Sequence, residues 1–102
     1  MRTTYDINQI PVSHRHDVKK ALEILKDVGC QEVYIFGSLV NGPVTPKSDI
    51  DLAVKGIPPE SFFKVFGKLI MQLDHPVDLI DLEEDNRFAN MLQREGYLRR
   101  VN

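Results

Sequence analysis

The sequence predicts an α/β (α+β) domain in which a three-stranded sheet carries helices against it. Three observations lead there. Apolar runs rich in β-branched residues occur at residues 31–36, 49–54 and 77–82. The stretches around them place apolar residues at helical spacing. The resulting order is helix, strand, short turn or helix, strand, helix, strand, helix, which suits one sheet covered by helices.

A chain of 102 residues is expected to form a single domain, 1–102, with one modest core. Its hydrophobic share of 42% and charged share of 27% are ordinary for a globular protein. A net charge of −2 gives no electrostatic reason to expect direct contact with nucleic acid or a membrane surface. Cys30 is the lone cysteine, so no intramolecular disulfide is expected. The first residues lack the apolar core of a signal peptide, and no apolar run approaches the ~20 residues that span a bilayer. The expectation is a soluble, cytoplasmic protein.

Residues 1–12 are polar, contain Pro11, and read as a loosely ordered arm. Ser13 is a helix cap, with Asp17 in the first turn, where the dipole favours negative charge. Val18, Ala21, Leu22, Leu25 and Val28 then mark an apolar stripe that Gly29 ends. His14 and His16, two apart, are expected on the solvated side. Residues 31–36 form a first strand, apolar on both faces, with Tyr34 and Phe36 in the core. It ends at Gly37-Ser38, after which residues 38–42 suit a short helix or a turn. Pro43 and Pro46 impose a loop up to Ser48. The second strand, residues 49–54, stops at Gly56 and Pro58-Pro59. A second long helix follows, with Phe62, Phe66, Leu69 and Leu73 as its buried stripe and Phe63 and Ile70 beside it. Asp74-His75-Pro76 breaks it before the third strand, residues 77–82. After an acidic connector, Asn86 caps a last helix whose apolar side is Phe88, Met91 and Leu92, and Gly96 ends it. The tail YLRRVN carries no assignable pattern; Arg94, Arg99 and Arg100 read as solvated.

The chemistry concentrates between Gly37 and Val54. Ten residues separate Ser38 from Asp49, and Asp49 and Asp51 stand two apart. On a strand they leave the same face, roughly 6–7 Å apart along the backbone. Paired carboxylates repel unless a cation lies between them, and a hard divalent ion, Mg²⁺ or alternatively Mn²⁺, suits oxygen ligands and leaves room for triphosphate oxygens. Two such ions about 3.5–4 Å apart can hold the attacking and leaving oxygens of an in-line displacement. A third carboxylate from another strand is then needed. Asp78 is the candidate; Asp81, three residues later, should face the other way. Gly37 lets backbone approach a phosphate, Ser38 offers a hydroxyl and an N–H, and Lys47 can offset triphosphate charge from the loop.

The G-S, ten-residue gap and D-x-D pattern resembles the signature of the DNA polymerase β-like nucleotidyltransferase superfamily, and the VDLI of residues 77–80 agrees with it. The short chain is similar to the minimal nucleotidyltransferases (MNT), often antitoxin partners of small helical HEPN-domain toxins. The resemblance implies a three-stranded mixed sheet flanked by about four helices and Mg²⁺-dependent use of ATP. It assigns triphosphate binding to Gly37 and Ser38 and metal binding to Asp49, Asp51 and Asp78. It also implies transfer of AMP to a hydroxyl, such as a tyrosine, of a partner HEPN toxin, silencing it. One departure stands out: relatives often carry an arginine shortly after G-S, where this chain has Leu39 and Asn41. The competing expectations are a non-catalytic antitoxin that neutralises by complex formation, and one subunit of a split transferase for a small molecule.

Overall fold

The computed structural model describes residues 5–102. The sheet has four strands rather than the three expected: β1 (Glu32–Phe36), β2 (Ile50–Lys55), β3 (Val77–Asp81) and β4 (Arg99–Arg100). Their order is β3-β2-β1-β4. The β1–β2 and β1–β4 pairs are antiparallel and β2–β3 is parallel, so the sheet is mixed. The helices are α1 (Val12–Asp27), α2 (Ser38–Asn41), α3 (Pro59–Gln72) and α4 (Arg87–Glu95). The parallel β2–β3 pair needs a crossover, and α3 provides it.

Alternation along the strands divides the core in two. Val33, Ile35, Ile50, Leu52, Val54 and Leu79 face one side, where they pack with Val18, Ala21, Ile24 and Leu25 of α1 and Val65 and Leu69 of α3. Phe36, Ala53 and Leu82 face the other, under Ala89 and Leu92 of α4. Burial on both faces explains why β1 and β2 are nearly continuous apolar runs.

Other expectations are also corrected, among them Ser13 as a helix cap: α1 begins at Val12 with Pro11 in the cap position, no side chain caps it, and no acidic residue lies in its first turn. Residues 5–11 are not a loose arm: the Tyr5 N–H bonds the Arg100 carbonyl, residues Ile7–Gln9 form a short 3-10 helix capped by Asp6, and Ile10 is fully buried. The rest of the expected arm, residues 1–4, lies outside the described residues. The tail, which carried no assignable pattern, is ordered by pairing: Tyr34 and Ile35 of β1 take Arg100 and Arg99 as ladder partners, while the Arg94 and Arg99 side chains stay exposed. The stripe of α3 keeps its expected residues, with Leu69 and Leu73 buried and Phe62 and Phe66 half-buried against the core, but it gains Val65, and the flanking Phe63 and Ile70 are exposed (80% and 58%). His14, expected in solvent, has no exposed surface. Among the described residues no helix is long and apolar enough to cross a membrane.

Candidate active site

β1 delivers the chain to Gly37, which has φ +74° and caps the four-residue α2. A side chain is excluded there twice over. The positive φ strains any L residue, and a Cβ would collide with the Asp51 carboxylate. The requirement for glycine is therefore a requirement for the end of β1 to lie against Asp51. Ser38 opens α2, whose Val40 and Asn41 N–H groups both turn back to the Gly37 carbonyl. The leading N–H groups of such a turn have no intrahelical partner.

The register assembles the acids. Phe36 is the ladder partner of Asp51, and Asp51 is the ladder partner of Asp78. Neighbouring strands lie roughly 5 Å apart, so Asp51 and Asp78 stand side by side at one end of the sheet. Asp49 precedes β2 by one residue and is exposed, as is Asp78. Asp51 is half-buried, and burial pushes its carboxyl above the usual carboxylate range, with the Asp78 and Asp49 charges adding to the shift. The like charges of Asp78 and Asp49 disfavour a second negative charge on Asp51. Asp81, by contrast, pairs with Val54 at the far end of β3. There it lines a cleft of about 440 Å³ with Ile57, Pro59, Phe62, Phe63, Glu83 and Glu84.

The loop between α2 and β2 is folded on itself. Ser48 Oγ accepts the Thr45 N–H (2.9 Å), and the Ser48 N–H bonds the Thr45 carbonyl (3.0 Å). Lys47 is exposed in this turn, its backbone N–H donating to Thr45 Oγ1 at 3.2 Å.

Among the described residues no three His, Cys, Asp or Glu side chains are drawn together as a ready-made metal cage. What Asp49, Asp51 and Asp78 supply is a looser group of hard oxygen donors. That chemistry fits Mg²⁺, which keeps most of its positions for water and phosphate oxygens and takes one or two protein carboxylates.

Sequence reasoning missed a polar cluster beside these acids. His14 and Asp17 of α1 are the buried polar residues of the described core, and the His14 ring stacks on His75 with centroids 3.8 Å apart. A signal was present: positions 14, 18, 21 and 25 fall on one helical face, so His14 stands in line with the apolar stripe.

The Polymerase beta nucleotidyltransferase family model matches residues 18–98. No curated protein matches the sequence. Among solved structures, a chain of a toxin–antitoxin complex with AMP-PNP is 29% identical, with a TM-score of 0.64 over 80% of this chain and 69% of that one. A chain from the complex of tri-AMPylated Shewanella oneidensis HEPN toxin with MNT antitoxin is 25% identical, TM-score 0.61, covering 85% and 70%. A candidate minimal nucleotidyltransferase aligns over 99% of both chains at 20% identity and TM-score 0.63, a likeness of fold.

Proposed function

The chain belongs to the Polymerase beta nucleotidyltransferase family, and on that premise we propose that it is an antitoxin that transfers AMP from ATP to a hydroxyl of a HEPN-type toxin. The observation that carries the proposal is the register that sets Asp51 beside Asp78 on adjacent strands, with Gly37 at the end of β1 packed directly against the Asp51 carboxylate. A neighbour whose complex holds AMP-PNP and another whose partner toxin is AMPylated support the choice of ATP and of a protein acceptor.

In this reading Asp49, Asp51 and Asp78 would hold two Mg²⁺ ions. Bound there, Mg²⁺ supplies charge neutralisation on the triphosphate oxygens and makes the acceptor hydroxyl more acidic. Gly37 keeps the space beside Asp51 clear for the phosphates. Ser38 donates its hydroxyl and N–H to them, and Lys47 approaches from the loop. Asp78 accepts the proton of the acceptor hydroxyl. The acceptor oxygen forms a bond to the α-phosphorus as the bond to the β-phosphate bridging oxygen breaks, and pyrophosphate leaves.

The test is to incubate the chain with MgATP and its toxin and weigh the toxin. The expected result is a gain of one or more AMP units that is absent with Asp49→Asn or Asp51→Asn. Tight binding with no mass gain, indifferent to those substitutions, would establish the non-catalytic antitoxin instead.

A further inference from the structure

His14, Asp17 and His75 form a closed brace around the two segments that deliver the acids. The Asp17 Oδ2 atom accepts three bonds, from the Asp74 N–H (2.9 Å), the His75 N–H (2.8 Å) and His75 Nδ1 (2.7 Å). His14 Nε2 lies 2.8 Å from the Ser48 carbonyl, to which it must be the donor. Its Nδ1 is then the acceptor for the Ser13 hydroxyl at 2.7 Å. The stacked rings join the two halves, and the Ile50 N–H bonds the Pro76 carbonyl (2.8 Å), closing the circuit across the strand ends.

The placement matters more than the number of bonds. Ser48 immediately precedes Asp49, and His75 lies three residues before Asp78. One turn of α1 therefore grips the chain just ahead of β2 and just ahead of β3. Apolar side chains could fill this space, but they would leave the Ser48 carbonyl and the Asp74 and His75 amides without these partners. What only the polar set provides is direction: a fixed carbonyl at 48 and fixed amides at 74 and 75. Loops entering a strand otherwise drift, and a displacement of about 1 Å is enough to spoil a catalytic constellation.

We propose that His14, Asp17 and His75 are positioning residues that set the separation between the Asp49–Asp51 pair and Asp78 through the Ser48 carbonyl and the Asp74 and His75 amides. The inference rests on the metal-holding role given to those acids above. It assigns α1 a part in the site, although α1 contributes no group to the reaction.

The experiment measures Mn²⁺ binding in the presence of ATP by electron paramagnetic resonance, alongside thermal unfolding, on the full chain. The variants are His14→Leu, His14→Gln, His75→Phe and, as a control, Leu25→Ala, which weakens the same helix face away from the brace. His14→Leu and His75→Phe should lose tenfold or more in Mn²⁺ affinity of the folded protein. His14→Gln, which keeps an N–H for the Ser48 carbonyl, should recover most of it. Leu25→Ala should melt lower yet bind as the wild type does. If the Leu and Phe variants are merely less stable and bind Mn²⁺ normally, the brace is structural and the proposal is wrong. If one of them does not fold, the Gln variant and the other still decide. A wild type that binds no better than Asp51→Asn overturns the metal reading itself, and the brace with it.

Discussion

Asp51 is a residue whose chemistry and stability pull in opposite directions. Burial and two neighbouring carboxylates raise its pKa, so ionising it in the folded chain is unfavourable. For a group raised above its unfolded value of about 3.9, the favourable contribution is present below that value and is lost as pH rises through the folded pKa. Asp51→Asn should therefore make the metal-free protein more stable at neutral pH, by an amount that solvent screening of this half-exposed group keeps small. In denaturant titrations the gain should vanish toward low pH; a variant less stable than the wild type at pH 7 would contradict the account. Asp17 has the opposite sign. Burial alone would raise its carboxyl, but the bonds from the His75 side chain and the Asp74 and His75 amides outweigh that and hold it low. Its contribution is present above the unfolded pKa and lost as pH falls through the folded one. Asp17→Asn should cost about 1–3 kcal/mol at pH 7, with the difference from wild type shrinking in acid.

At the scale of elements, what was readable was what local pattern encodes. Gly37-Ser38 was legible as the end of an apolar run, because glycine marks a backbone turn, and Asp51 was legible from the two-residue period of its strand. Asp78 was chosen over Asp81 on the same ground, and the register sets it beside Asp51. β4 was illegible because a two-residue strand has no period; it exists only through its pairing with Tyr34 and Ile35. α3 shows a third case. The expected stripe of Phe62, Phe66, Leu69 and Leu73 faces the core together with Val65, while Phe63, Ile70 and Met71 stay exposed, and large rings cover the core edge from the side. Phe62 does this, edge-on to both Phe63 and Phe66. Leu69→Ala should therefore cost about 2–5 kcal/mol by chemical denaturation. Phe63→Ser should stay within roughly 0.5 kcal/mol of wild type. Equal costs at the two positions would mean that α3 is rotated from the orientation described.

For the whole molecule, the acids, the glycine and the brace occupy one end of a small sheet, so ligand binding and folding must be linked. The far end holds the cleft around Asp81, Glu83 and Glu84, away from Asp51. Any ligand that binds the folded chain alone stabilises it by RT ln(1 + [L]/Kd), about 2.7 kcal/mol at a hundred times Kd. Mg²⁺ and ATP should act together in this. On the proposed function, the triphosphate would bring oxygens that complete the coordination of an ion only partly held by carboxylates, and the ion would relieve the repulsion centred on Asp51. Neither partner alone has both effects. MgATP should thus raise the melting temperature by several degrees, each alone much less, and Asp51→Asn should lose the joint response while starting from a higher baseline. Because binding the ion requires Asp51 ionised, the joint shift should also grow as pH rises through its elevated pKa. An ATP response of the same size in chelator, or one preserved in Asp51→Asn, would mean that the nucleotide sits elsewhere on the molecule, with the acidic row left out of its binding.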